Sequence, residues 1–141
     1  MIRANELMIG NYVSRPDLGN GEQRTEQVLA IYERVKTTGP IKTIVDFSDI
    51  KPIPLTEEWL IKLGFKKLDG GCLIFQKGIY EIWSNTADLK EWSLRRIVGD
   101  KNEGSYGETL NCMVNVHNKV YTVHQLQNIY YSLTGEQLTI K

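Results

Sequence analysis

Arg24-Thr25-Glu26-Gln27-Val28-Leu29-Ala30-Ile31-Tyr32-Glu33-Arg34-Val35 supports two secondary structures, and the choice sets the character of the N-terminal third of the chain. Val28, Ile31, Tyr32 and Val35 recur at helical spacing, and Thr25 and Gly39 stand where caps belong. Periodicity therefore predicts a helix. The flanking sequence argues for a strand. Ile9–Ser14 reads as a strand after a short turn at Ala4–Leu7, and Ser14–Gln23 is a loop rich in Pro, Asp, Asn and Gly. Lys36–Gly39 is a turn, and Ile41–Phe47 is rich in residues that favour strands. A strand at 24–35 would suit a small barrel. The residues alone leave both readings open.

Downstream the signals are unambiguous. Pro52 and Pro54 keep the chain extended up to Thr56, an N-cap residue followed by Glu57 and Glu58, whose charge suits the positive end of a helix dipole. Leu55 and Leu60 take the staple positions and Gly64 the stop, which predicts a helix over about 57–63. A second helix is predicted over 123–134. Thr122 and Gln125 match a capping box, Tyr121 and Leu126 its staple, and Gly135 ends it. Leu126, Ile129, Tyr130 and Leu133 form its apolar stripe, and with Trp59, Leu60, Leu63 and Phe65 they make the expected core. Between the helices, Cys72–Gln76 and Ile79–Ser84 read as a hairpin about Lys77-Gly78. Trp92–Val98 and Leu110–Val116 read as strands flanking a glycine-rich loop at Gly99–Gly107, with a last short strand at Leu138–Ile140.

The chain has 141 residues, 41% hydrophobic and 24% charged, which suits one globular domain. Seventeen bases face seventeen acids, and residues 1–70 already balance at ten of each. No basic half offers an electrostatic footprint for duplex nucleic acid, so that partner is not expected. Cys72 and Cys112 stand far apart, without the paired spacing of a zinc site, and are read as core thiols. No leader is read behind Arg3, Asn5 and Glu6, and no run approaches the roughly 18 apolar residues of a membrane span. The expectation is a cytoplasmic protein without membrane partners.

Three stretches are distinctive: Ala4-Asn-Glu-Leu-Met-Ile-Gly-Asn-Tyr-Val13, Ile50-Lys-Pro-Ile-Pro-Leu-Thr-Glu-Glu-Trp-Leu-Ile-Lys-Leu-Gly-Phe65 and Val123-His-Gln-Leu-Gln-Asn-Ile-Tyr-Tyr-Ser-Leu-Thr-Gly-Glu-Gln-Leu138. Together they resemble a family of small phage and prophage proteins of Bacteroides-like bacteria. The resemblance implies an α+β fold, with an N-terminal half resembling a small SH3-like β-barrel (about 1–53) and a β-rich α+β half (about 54–141) within one compact domain. It implies that 24–35 is a strand paired with Ile41–Phe47. It carries no catalytic residue onto this chain.

Candidate sites are sparse. His117 and His124 lack Cys, Asp or Glu at ligand spacing, so no metal is expected. Asp46 and Asp49 beside Ser48 fit an Asx turn leaving a strand, and Glu57 and Glu58 are accounted for by the helix dipole. The Gly99–Gly107 loop, with Lys101 its one cation, reads as a hairpin tip rather than a phosphate cradle. No phosphate-binding loop, nucleophile elbow or zinc-protease motif occurs. The remaining constellation is Trp83, Trp92, Arg95, Arg96 and Tyr106. Arginine stacks on aromatic rings and grips phosphate, and Trp and Tyr offer flat faces to a base. Against a joint role, adjacent Arg95 and Arg96 point to opposite faces of a strand.

These features lead to a non-enzymatic binding protein with no cofactor. In the phage setting that the resemblance implies, it would sequester a small nucleotide-like signal used in host defence, or bind a host protein, as a homo-oligomer. The alternatives are a nucleic-acid- or protein-binding SH3-like module, by fold analogy, and a small hydrolase.

Overall fold

A computed structural model of the chain describes residues 2–16, 22–31, 34–39, 44–68, 73–84, 91–98 and 112–141. The chain forms two compact units: Met1–Leu55 with Tyr121–Ile140, and Thr56–Val120 with Lys141. The fold is α+β, with two antiparallel sheets and two α-helices.

In the first unit a short 3-10 turn at Ala4–Glu6 leads into β1 (Tyr12–Pro16). β2 (Gln23–Ile31), β3 (Val35–Thr37) and β4 (Ile44–Val45) follow, and the four pair in sequence order as an antiparallel meander. Residues 24–31 and Val35 are thus extended, but in two strands, because Ile31 ends β2 and Val35 opens β3. The expected pairing of 24–35 with 41–47 is met only at Val35, which opposes Val45; β2 itself pairs with β3, which lies between β2 and β4. A second 3-10 turn at Phe47–Asp49 carries the chain back to β1, where Ser14 and Lys51 exchange backbone hydrogen bonds of 2.9 and 2.7 Å. That isolated bridge is the extent of closure, and among the described residues no closed barrel is found. Ile2, Leu7, Val13, Val28, Val35, Val45 and Ile50 form the core.

α2 (Val123–Thr134) belongs to this first unit, whereas the sequence placed it with the C-terminal half. Tyr12 on β1 donates its backbone N–H to the Gln127 side chain, so α2 is tied to the N-terminal sheet. Gly135 ends the helix at φ +73, and its N–H reaches the Tyr131 carbonyl. At the other end neither bond of the capping box is made. Gln125 accepts from the Tyr121 N–H at 3.0 Å, while Thr122 turns its hydroxyl to His124 Nδ1 at 3.2 Å. Leu126 and Tyr130 are buried and Ile129 is half-buried, but Leu133, in the last turn, is 40% exposed and leaves the expected core. Leu138–Ile140 is not a strand.

The second unit begins with α1 (Glu57–Lys62), shorter by one residue than predicted because Leu63 is its C-cap. The Thr56 hydroxyl accepts from the Trp59 N–H at 3.4 Å, the predicted N-cap bond. A five-stranded meander follows: β5 (Lys66–Lys67), β6 (Ile74–Lys77), β7 (Tyr80–Ser84), β8 (Trp92–Val98) and β9 (Cys112–Val120). The predicted hairpin is present, with Gly78 at φ +60 in its turn. Leu60, Leu63, Phe65, Phe75, Ile82, Trp92 and Leu94 are buried, and Trp59 is half-buried. Among the described residues no helix is long and apolar enough to cross a membrane.

Candidate functional site

β7 and β8 divide their side chains between two faces by the alternation of extended chain. Register pairs Ile82 with Leu94 and Ser84 with Trp92, and these belong to the apolar face. The opposite face carries Glu81 opposite Arg95 and Trp83 opposite Ser93, continued by Gln76 opposite Glu81 on β6. Arg95 and Trp83 are diagonal neighbours, a spacing that long side chains can bridge. The Arg95 guanidinium lies 3.5 Å from the centre of the Trp83 ring, a stacked cation–π contact. Trp83 Nε1 is buried without a hydrogen-bond partner.

The five predicted site residues therefore separate. Trp83 and Arg95 come together. Arg96 falls on the other face, opposite Tyr80, and is exposed. Trp92 is fully buried and meets Phe75 edge-on at 6.0 Å, so it is core. Tyr106 lies outside the described residues, as do Cys72 and the Gly99–Gly107 loop. Glu81 and Ser93, both buried, were not singled out from the sequence. The available signal for Glu81 was its spacing of two from Trp83, which puts both on one face of a strand.

Other acidic residues have structural partners. Asp46 pairs with Arg34 at 2.8 Å, Glu57 with Lys67 at 3.0 Å and Glu58 with Lys62 at 2.7 Å. Hydrogen bonding and charge from Lys62 hold the Glu58 carboxyl below the usual range. In the first unit Glu26 is buried and accepts from Arg15 at 3.3 Å and from the Thr37 hydroxyl at 2.5 Å. Among the described residues no group of three His, Cys, Asp or Glu is placed to hold a metal ion. A cleft between Ile9, Asn11, Gln127 and Tyr131 holds about 10 Å³, room for about one water. A wider open groove of about 510 Å³ runs between Ser14, Gln23 and Thr25 and the segment Lys51–Pro54.

His117 falls on β9, and His124 is buried in the first turn of α2. Burial pushes the His124 imidazole below its ordinary value near 6.5, with Glu6 opposing. A depressed folded-state value means that the unfolded chain binds the proton more readily. The stabilisation is complete above about pH 6.5 and is lost as pH falls toward the folded-state value. His124→Gln should flatten the decline in denaturation midpoint between about pH 7.5 and pH 5. An equally steep decline in the variant would assign it to other groups.

No family model, curated protein or solved structure matches the chain.

Proposed function

We propose that the chain is a non-enzymatic binding protein for a small anionic, nucleotide-like ligand, held on the β7–β8 face by Trp83 and Arg95. The observation that carries this reading is the guanidinium stacked 3.5 Å from the Trp83 ring on a face that also holds an unpaired indole N–H. A stacked guanidinium directs its N–H groups outward in its own plane, the geometry that grips phosphate, while indole is the strongest aromatic platform for a cation or a base. In the phage setting implied by the resemblance, sequestration of a host-defence signal is the corresponding role, with the protein acting as a homo-oligomer. Calorimetry against mono-, di- and cyclic nucleotides tests the proposal. Trp83→Ala and Arg95→Ala are each expected to weaken binding by roughly tenfold or more, as loss of a stacking or charged contact. Arg96→Ala, on the other face, should leave it unchanged. Chromatography of the recovered ligand should return it intact. No binding across the panel sinks the reading, and a cleaved ligand replaces it with a hydrolase.

A second reading is favoured by a different observation. The meander, the 3-10 turn and the Ser14–Lys51 bridge are compatible with an SH3-like arrangement of the first unit, whose open groove ends in Pro52-Ile53-Pro54. Under that reading the partner is a protein segment, and Lys51→Glu disrupts its capture while nucleotide affinity is untouched.

A further inference from the structure

The polar face of the second sheet extends beyond the Trp83–Arg95 pair. Register sets Lys66 of β5 opposite Gln76 of β6, Gln76 opposite Glu81 of β7, and Glu81 opposite Arg95 of β8. The four stand in one cross-strand row, and residues directly opposite one another in a sheet share a face. The next lysine supports the assignment. Lys67 carries its Nζ over the ring of Phe75, a core residue, at 5.8 Å and to Glu57 at 3.0 Å, so alternation turns Lys66 to the polar side. Lys66 is exposed there. Three strand spacings separate it from Arg95, about 14 Å across the sheet.

Charge along the row runs cation, neutral amide, acid, cation. Glu81 faces Arg95 and is 7% exposed, so it offsets part of the guanidinium's charge and repels a phosphate placed over the middle of the row. Gln76 adds no charge, and its amide donates to the Gly78 carbonyl at 3.1 Å. The attractive positions for an anion are therefore the two ends. A nucleoside mono-, di- or triphosphate carries its charge at one end of the molecule and engages only one of them. A nucleic-acid strand carries a phosphate at every nucleotide, so a short piece reaches both. An open sheet face suits such a ligand, because unpaired bases can lie flat on it. We infer that the ligand of this face is a short single-stranded oligonucleotide crossing the strands, with one phosphate on Arg95 and another on Lys66, which makes Lys66 a further binding residue. This rests on the nucleotide-binding reading above and adds the length of the ligand.

Calorimetry of the purified full chain with uridine monophosphate and with the uridine trinucleotide tests it. Affinity should rise roughly tenfold or more from one nucleotide to three, the effect of one further charged contact. The logarithm of the trinucleotide's affinity should fall against the logarithm of salt concentration with a slope of about −1.4, from two phosphates at about −0.7 each. Lys66→Ala should roughly halve that slope and leave the trinucleotide binding no more tightly than the monophosphate. Lys66→Arg should keep both the slope and the length advantage. Lys67→Ala, on the other face, should change neither. Equal affinity for the two lengths overturns the inference while leaving nucleotide binding in place. So does a length advantage that survives Lys66→Ala, or one that Lys67→Ala removes equally. No binding of any nucleotide overturns both readings.

Discussion

Arg15→Ala is expected to destabilise the protein by about 3–5 kcal/mol, the usual result of stranding one member of a buried ion pair. The Arg15 and Glu26 side chains are 8% and 5% exposed, and Arg15 Nη1 stands 3.3 Å from Glu26 Oε2. Glu26 alternates with Val28 on β2, so its side chain enters the same inward face as that core residue. Thr37 of β3 donates to the same carboxylate oxygen. Gly39 completes the enclosure, because a Cβ at that position would run into the Glu26 carboxylate. With Arg15 removed, one neutral hydroxyl is left as the principal partner of a charge held away from water. A double variant, Arg15→Met with Glu26→Leu, should recover most of the loss, since an apolar pair of similar volume avoids the desolvation that the ion pair requires. Chemical denaturation of the two variants decides the matter. A single variant within about 1 kcal/mol of wild type would mean that the pair behaves as an exposed one.

The same buried acid explains why residues 24–35 were difficult to read. A half-buried strand announces itself by alternating apolar residues, and in β2 the inward positions are Glu26 and Val28 while Leu29 turns outward, 45% exposed. The period-two signal is therefore broken by a charged residue inside and a leucine outside. The helical spacing is a coincidence between two strands, with Val28 and Ile31 on β2 and Val35 on β3. β5 escaped notice for a related reason: Lys66-Lys67 has no apolar content and becomes a strand only through its pairing with β6. The helices were legible because their caps are local chemistry, and Thr56 and Gly135 act as their types predict. At the candidate site, the opposition of Arg95 to Arg96 followed from alternation alone. The stacking of Arg95 on Trp83 required the β7–β8 register, which no short-range pattern supplies. Trp92 and Trp83 are alike in sequence, and only the sheet sends one to the core and the other to the polar face.

Gln127→Ala should cost on the order of 3–5 kcal/mol, more than an ordinary polar position on a helix, because this side chain replaces secondary structure for three backbone groups. Its Oε1 accepts from the Tyr12 N–H at 2.8 Å, and its Nε2 donates to the Leu138 carbonyl at 2.8 Å and the Gly10 carbonyl at 3.2 Å. Apolar-stripe reasoning about α2 assigned Gln127 no role, since its partners lie more than a hundred residues away at the start of the chain or beyond the helix end. Asn128 extends the device, accepting from the Asn11 side chain and donating to the Glu6 carbonyl, both at 2.8 Å. Gly10 allows the close approach: it sits at φ +94, and a Cβ there would press on the Gln137 side chain, which itself donates to the Ile9 carbonyl at 3.0 Å. The terminal stretches 4–13 and 123–138 are thus joined by hydrogen bonds, and their distinctive residues have a structural use. Truncating Gln127 leaves buried backbone groups on β1 and after α2 without their side-chain partner, at roughly 1–3 kcal/mol for each group left unpaired. Gln127→Leu should fare no better, since filling the volume restores no hydrogen bond. Asn128→Ala should cost less, on the order of 1–2 kcal/mol, because Asn128 is only half-buried and water can replace it. Denaturation midpoints rank the three variants, and amide exchange at Tyr12 reads the same loss locally. A ranking with Asn128→Ala above Gln127→Ala, or an unchanged Tyr12 exchange rate in Gln127→Ala, would show that α2 is held to β1 by its apolar face alone.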